Sequence, residues 1–132
     1  TDERVRELMG LVELDHQLSR RKSGQLSGGQ CQRVGIARAL AMEPEILIAD
    51  EITSALDVTI QAQIITLLDR LRREVGLTVV FISHDLALVR SFCDRVAVFQ
   101  AGRIVETGAV NQVLSEPRQA YTRDLITSAP EL

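Results

Sequence analysis

The chain has 132 residues, of which 45% are hydrophobic and 25% are charged, as in an ordinary globular domain or a large piece of one. No stretch approaches the roughly 18 apolar residues that a membrane helix requires, and no basic start followed by an apolar segment indicates a secretory signal. The formal net charge of -3 and the 3% of aromatic residues argue against a nucleic-acid partner, which usually needs a basic stripe and stacking rings.

The first 43 residues carry helical patterns and no strand signal. Apolar residues at helical spacing predict a helix over Asp2 to Leu14, and a polar loop follows from Asp15 to Gln25. A second helix is predicted to open within Leu26 to Gln30 and to end before Pro44, because proline cannot continue the backbone hydrogen-bond ladder. We therefore expect this part of the chain to belong to a helical subdomain.

Strands and helices alternate in the middle of the chain. Ile46 to Ala49 and Thr78 to Ser83 are short apolar runs without alternation, which predicts strands buried on both faces of a parallel sheet. Between them an amphipathic helix runs from Ile60 to Val75, with Gly76 as its predicted C-terminal cap. The remaining predicted elements are a helix over Asp85 to Ser91 and strands over Val96 to Phe99 and Arg103 to Glu106, joined by a turn at Ala101-Gly102.

The order of these elements predicts an α/β fold, in which a partial helical subdomain is followed by a mostly parallel sheet with flanking helices. We expect three segments: the helical subdomain over 1–43, a core over 44–108 and a helical tail over 109–132. Ligands of open α/β sheets bind at the edge formed by the carboxyl ends of the strands. Residues that follow the predicted strands are therefore the first candidates for a binding site.

Ser27, Gly28, Gly29 and Gln30 open the second predicted helix. Glycines let a backbone approach a ligand closely, and the start of a helix offers free N–H groups with a partial positive charge. The Ser27 hydroxyl adds a further hydrogen-bonding group. This set predicts an anion site suited to phosphate, although serine and glycine are also common in ordinary helix caps.

Two acids, Asp50 and Glu51, come directly after the first predicted strand. Asp50 can hold Mg²⁺, usually through water, because Mg²⁺ keeps much of its hydration shell. Glu51 can orient and deprotonate a water molecule that attacks a phosphate. The alternative interpretation is that Asp50 and Glu51 are two solvated acids in a loop.

His84 and Asp57 complete the candidate set. His84 follows the second predicted strand, so we expect it at the same sheet edge as the two acids and within reach of a γ-phosphate. A lone histidine is otherwise more often structural. Ser54 to Asp57 is predicted to turn into the next helix, with Asp57 near the start of that helix.

In this order the motifs resemble those of the ABC ATPase family, and the resemblance covers essentially the whole chain. LSGGQ at 26–30 resembles the ABC signature, and ILIADE at 46–51 resembles the Walker B strand with its catalytic glutamate. SALD at 54–57 resembles the D-loop, and His84 resembles the switch histidine. The resemblance implies the C-terminal part of a P-loop ATPase domain, with ATP and Mg²⁺ as its ligands.

In that family two ATPase domains form a head-to-tail dimer, which gives the signature an implied role. Ser27, Gly28 and Gly29 would contact the γ-phosphate of ATP held by a second ATPase subunit, identical or not. Gln30 would help to shape that cap. Asp57 would carry signals across the interface.

The resemblance also assigns residues to ATP held in the same subunit. Asp50 would bind the metal, and Glu51 and His84 would be catalytic. Two positions depart from the family pattern: Ile52 replaces the usual proline, and Cys31 replaces a usual polar residue. The first departure loosens the backbone of the turn, since proline fixes φ.

One family motif is absent from these residues. A Walker A loop requires G-x-x-x-x-G-K-[ST] after a strand, and the only lysine, Lys22, follows neither a glycine loop nor a strand. We therefore expect a fragment that begins within the helical subdomain. The fragment is expected to be inactive by itself, and the complete protein is expected to be an ATPase.

The tail points to one group within the family. Glu116 to Leu125 resembles the end of the ATP-binding subunits of bacterial oligopeptide, dipeptide and nickel importers, although Gln119 and Ala120 replace the usual His-Pro pair. That resemblance implies transmembrane permease subunits as partners and a peripheral place at the cytoplasmic face of the inner membrane. The alternatives are an ABC-type ATPase of chromosome maintenance or translation, and a non-catalytic fragment that only binds partners.

Overall fold

The computed structural model describes residues 1–129 and 132. The chain divides into two compact units, Thr1–Val80 and Phe81–Leu132. The three segments expected from the sequence stay a prediction, and residues 130 and 131 of the expected tail lie outside the described residues.

The first unit opens with helices. α1 spans Asp2–Leu11 and α2 spans Gly28–Leu40, and two short 3-10 helices, His16–Arg20 and Ser23–Gln25, occupy the segment that was expected to be a loop. α1 stops short of Leu14 because Glu13 takes a left-handed conformation, with φ of 59°, through which a helix cannot continue.

The core of the first unit lies along α3, which spans Val58–Val75. Its apolar face is fully buried, as the helical spacing predicts. The buried side chains of this face are Ile64, Leu67, Leu68 and Leu71. The helix ends at Gly76 in a left-handed cap with φ of 77°, which confirms the cap expected from the sequence.

Two arginines bind the C-terminal end of α1. The guanidinium of Arg33 in α2 donates to the carbonyl of Val12 at 2.9 Å, and that of Arg70 in α3 donates to the carbonyl of Leu11 at 2.6 Å. Both arginines also pair with the Glu13 carboxylate, at 3.3 and 3.5 Å. The last carbonyls of a helix find no N–H donor within the helix. The two arginines supply donors to them and so tie α1 to both neighbouring helices.

β1 spans Ile46–Asp50 and lies beside β2, which spans Thr78–Ile82, in a two-stranded sheet. The expectation that both strands are buried on both faces is wrong. In β1, Leu47 and Ala49 are buried while their neighbours are open to solvent, so only one face is covered within the described residues. The exposed apolar side chains of the two strands are Ile46, Ile48, Val80 and Ile82.

The second unit contains an antiparallel hairpin of β3, Arg95–Gln100, and β4, Arg103–Ala109. Ala101 and Gly102 both have positive φ, 50° and 78°, as a two-residue hairpin turn of type I′ requires. The predicted turn is therefore confirmed. The two strands are antiparallel, because so short a turn can join only antiparallel strands.

Helices α4 (Leu86–Phe92), α5 (Val110–Ser115) and α6 (Ala120–Thr127) complete the second unit over the described residues. Val89, Val110 and Leu114 form its buried core, and Ile126 packs against them. The tail helix α6 is therefore part of the folded unit.

Glu106 of β4 holds the start of α6. Its carboxylate accepts hydrogen bonds from the backbone N–H groups of Arg118, at 2.9 Å, and Gln119, at 3.1 Å. Gln119 itself provides no side-chain cap. The bond from the Arg118 N–H is the main cause that lowers the pKa of Glu106. The ionised form of Glu106 therefore ties β4 to the two residues that precede α6.

We predict that Glu106→Gln loosens α6 and leaves the first unit unchanged. An amide has one oxygen to accept with, so one of the two backbone bonds is lost. Hydrogen exchange of residues 118–127 should become faster at neutral pH. Because the folded pKa of Glu106 is lowered, its contribution to stability is present above its ordinary value of 4.5 and is lost as the pH falls through the lowered pKa.

The matched control for this prediction is Glu116→Gln, the same chemical change at an exposed position nearby. It should leave the exchange of α6 and its acid dependence as in the wild type. Equal exchange in Glu106→Gln and Glu116→Gln would show that the carboxylate of Glu106 does not hold the tail.

Candidate functional site

The start of α2 is a closed capping box. The Ser27 hydroxyl accepts a hydrogen bond from the Gln30 N–H at 3.1 Å, and the Gln30 side chain accepts one from the Ser27 N–H at 2.9 Å. The first N–H groups of a helix have no acceptor within it. The box therefore uses the N–H groups of Ser27 and Gln30, while those of Gly28 and Gly29 have no acceptor within the helix.

The two acids lie at the end of β1. Asp50 is exposed, whereas Glu51 is half-buried and has φ of 52°, in the left-handed region that non-glycine residues rarely adopt. The carbonyl of Glu51 accepts hydrogen bonds from the hydroxyl and the N–H of Ser54, at 3.0 and 3.4 Å. These two hydrogen bonds restrict the backbone of the turn, in which Ile52 replaces the proline usual at position 52.

Asp57 is the N-terminal cap of α3, with its carboxylate accepting from the Ile60 N–H at 2.9 Å. The segment before it is held by Gln61, whose amide donates to the carbonyl of Thr53 at 2.8 Å. Thr53 is 2% exposed, and its carbonyl also accepts from the Leu56 N–H at 3.1 Å. Thr53 and Gln61 were not among the predicted site residues, since this bond runs between a turn and a helix and leaves no spacing pattern in the sequence.

The structure brings the start of α2 against the start of α3. The distance from a Cβ placed at Gly28 to Leu56 Cδ2 would be 3.2 Å, and the distance from one placed at Gly29 to Ile60 Cγ2 would be 2.8 Å. The residues matching the signature and the D-loop therefore meet within one compact unit.

His84 belongs to the second unit and is exposed. It lies between β2 and α4, where Asp85 caps α4 by accepting from the Leu88 N–H at 3.2 Å. The Ser83 hydroxyl accepts from the Asp85 N–H at 3.0 Å. The hydrogen bonds of Ser83 and Asp85 thus order the backbone on either side of His84. The place of His84 beside the two acids stays a prediction.

The acids also fit the metal that the motifs imply. Asp50 offers an exposed carboxylate, a hard oxygen ligand of the kind that Mg²⁺ prefers. Among the described residues, no group of three or more histidine, cysteine or acidic side chains could enclose a metal ion. Mg²⁺ in phosphate-transfer sites is held by one or two carboxylates together with substrate phosphates, so one such ligand is sufficient.

Comparisons with known proteins agree with these motifs. The family model described as ABC transporter matches residues 1–54. The oligopeptide transport ATP-binding protein OppF of Escherichia coli K12 is 50% identical over 128 residues, which cover 97% of this chain and 38% of that protein. OppF of Streptococcus mutans is 48% identical over 130 residues, or 98% of this chain and 42% of that protein. The chain thus spans about two fifths of the length of these curated relatives.

Solved structures share the fold. CbiO1 of Clostridium perfringens, described as part of the ABC transporter complex cbiONQ, has a TM-score of 0.78 and 36% identity, over 86% of this chain and 45% of that one. The ADP conformation of MJ1267, an ATP-binding cassette of an ABC transporter, has a TM-score of 0.81 and 28% identity, over 96% and 49% of the two chains. Residues 1–54 thus match the ABC transporter family model, and nearly the whole chain is similar to part of the ATP-binding proteins of ABC transporters, in agreement with the motifs at 26–30, 46–51 and 54–57.

Proposed function

We propose that the complete protein binds and hydrolyses ATP to drive the import of peptides or similar small solutes. The observation that carries this proposal is the juxtaposition, in one compact unit, of an anion-binding helix start and a D-loop segment that leads back to the Glu51 turn. The relatives described as oligopeptide transport ATP-binding proteins favour this function over chromosome maintenance or translation.

Glu51 is the proposed general base. Its carboxylate orients a water molecule toward the γ-phosphate of ATP and takes its proton as the water attacks. The left-handed backbone at Glu51 and the two bonds from Ser54 hold this residue directly behind β1, which limits the positions that its side chain can reach. Asp50 would hold Mg²⁺, which neutralises phosphate charge when bound. His84 is proposed to contact the γ-phosphate.

Ser27, Gly28 and Gly29 are proposed to bind the γ-phosphate of ATP held by a second ATPase subunit. The free N–H groups of the two glycines point to this role, because they combine hydrogen-bond donors with the positive end of a helix of 13 residues. Gln30 keeps the helix start in shape by closing the capping box. Asp57 lies at the neighbouring helix start and is proposed to transmit contact across the dimer interface.

The proposed partners are a second ATPase subunit and transmembrane permease subunits, with the protein attached to the cytoplasmic face of the membrane. Within the part of the chain that the structure describes, none of the helices has the length and apolar character needed to cross a membrane. The relatives named as transport ATP-binding proteins support this assignment of partners.

We predict that Glu51→Gln in the complete protein abolishes steady-state ATP hydrolysis and leaves ATP binding nearly intact. Loss of a general base typically costs roughly 10²–10⁴ in rate. Phosphate release and nucleotide binding would be measured on the same preparation, together with the fraction of ATP-bound dimer, which should rise.

The control is Glu43→Gln. Glu43 is exposed and shares the left-handed backbone of Glu51, with φ of 51° against 52°, so the same chemical change is made in the same local conformation. It should hydrolyse ATP as the wild type does. Wild-type turnover in Glu51→Gln would remove the assignment of Glu51 as the base.

We also predict that Ser27→Arg in the complete protein blocks ATP-driven dimerisation and spares ATP binding by the single subunit. A long cation at the helix start fills the space that the partner's γ-phosphate needs. Ser27→Ala separates this effect from loss of the cap, which costs about 1 kcal/mol of stability but adds no bulk. Light scattering with and without ATP should show dimers for the wild type, monomers for Ser27→Arg, and dimers at a higher ATP concentration for Ser27→Ala, which loses the proposed hydroxyl contact to the phosphate. Dimers in all three would contradict the capping role.

A further inference from the structure

Gly28 and Gly29 are packed against apolar side chains of their own chain. A Cβ placed at Gly29 would lie 2.8 Å from Ile60 Cγ2, closer than two carbon atoms can approach without movement. A Cβ placed at Gly28 would lie 3.2 Å from Leu56 Cδ2, a milder conflict with the end of a flexible side chain. The close contact at Gly29 is therefore made within the chain itself.

Ile60 is poorly able to make room. Its Cγ2 is a methyl group on the branched Cβ, and a branched residue in a helix strongly prefers a single χ1 rotamer. Its backbone is fixed as well, because its N–H donates to the carboxylate of Asp57 at 2.9 Å. The residue is half-buried at the first turn of α3. Any side chain at Gly29 would therefore push α2 away from α3.

Other glycines in the helices of this unit are not used in this way. Gly35 lies in the same helix as Gly29, and Gly10 lies in α1. A Cβ placed at either position meets no atom within 4 Å. The absence of a side chain is therefore a packing requirement at Gly29 and not at Gly35.

We propose that Ile60, with Leu56 beside it, is a positioning residue that seats the start of α2 on the start of α3. The seat fixes the place of the phosphate-binding N–H groups relative to Asp57, which caps the same turn that carries Ile60. This proposal rests on the proposed function of the signature as a cap on the partner's ATP. Glycine at position 29 is then required for a second reason, because a side chain there would collide with Ile60 of the same chain.

The test uses the complete protein with four variants: Gly29→Ala, the double variants Gly29→Ala/Ile60→Leu and Gly29→Ala/Ile60→Val, and Gly35→Ala. Leucine has the same number of carbon atoms as isoleucine but a single carbon on Cβ, so it removes the conflicting methyl group. Valine keeps both carbons on Cβ and therefore keeps the conflict. Gly35→Ala is the control for adding a methyl group to the same helix.

Each variant is measured in two ways. The midpoint of denaturant unfolding without nucleotide reports only how the contact between Gly29 and Ile60 affects stability. The ATP concentration needed for dimerisation, compared with the ATP affinity of the single subunit, reports positioning of the signature. A residue that only stabilises the fold would not separate these two ATP dependences.

We expect Gly29→Ala to lower the nucleotide-free folding equilibrium constant by roughly tenfold to a hundredfold, as overpacking in a well-packed site does. It should also raise the ATP concentration needed for dimerisation, with unchanged ATP affinity of the single subunit. Ile60→Leu should restore both properties in the double variant, and Ile60→Val should restore neither. Gly35→Ala should lose nothing. If Gly29→Ala does not fold, recovery of folding by Ile60→Leu and not by Ile60→Val carries the same conclusion.

Two results would contradict the positioning role of Ile60. One is unaltered nucleotide-free stability in Gly29→Ala, and the other is equal behaviour of the leucine and valine double variants. Either result would leave glycine required only by the partner's ATP. Failure of the proposed function looks different, since the wild type itself would then form no ATP-dependent dimer. The nucleotide-free measurement would still decide whether Ile60 seats the helix.

Discussion

The burial of one face of α3 is the constraint on which the first unit depends. Each of its four fully buried aliphatic side chains contributes about 1.5–3 kcal/mol relative to exposure, which is more than a typical hydrogen bond between neutral groups contributes. The polar contacts are added at the two ends of this helix. Arg70 near the C-terminal end binds the carbonyl of Leu11, and Ile60 at the N-terminal end meets Gly29. Hydrophobic burial thus places α3, and local contacts then set the positions of α1 and α2.

The candidate site follows from this placement. Asp57 caps α3, and Gln61 in the next turn holds the carbonyl of Thr53, so the segment between the Glu51 turn and the helix has little freedom. A shift of the first turn of α3 would change the surroundings of Gly29 and of the Glu51 turn together. The segment that follows Glu51 and the start of α2 therefore both contact the first turns of α3, through Gln61 and Ile60.

The sequence predicts those features that depend on neighbours along the chain. The amphipathic period of α3, the left-handed cap at Gly76 and the turn at Ala101-Gly102 were all predicted, because periodicity and turn chemistry are local. The exposed face of β1 was not, since an uninterrupted apolar run does not tell which face is covered. The bonds of Arg70 to α1 and of Glu106 to α6 also leave no trace in the sequence, because each joins residues far apart in the chain.

The backbone at Glu51 has a consequence for protein engineering. A left-handed conformation with φ of 52° costs a side-chain-bearing residue roughly 1–2 kcal/mol, and glycine avoids most of this cost. A search that ranks substitutions only by thermal stability would therefore favour glycine at position 51 and discard the carboxylate. Stability and the proposed catalytic role are in conflict at Glu51, so stabilised versions of the protein should be designed with position 51 held constant.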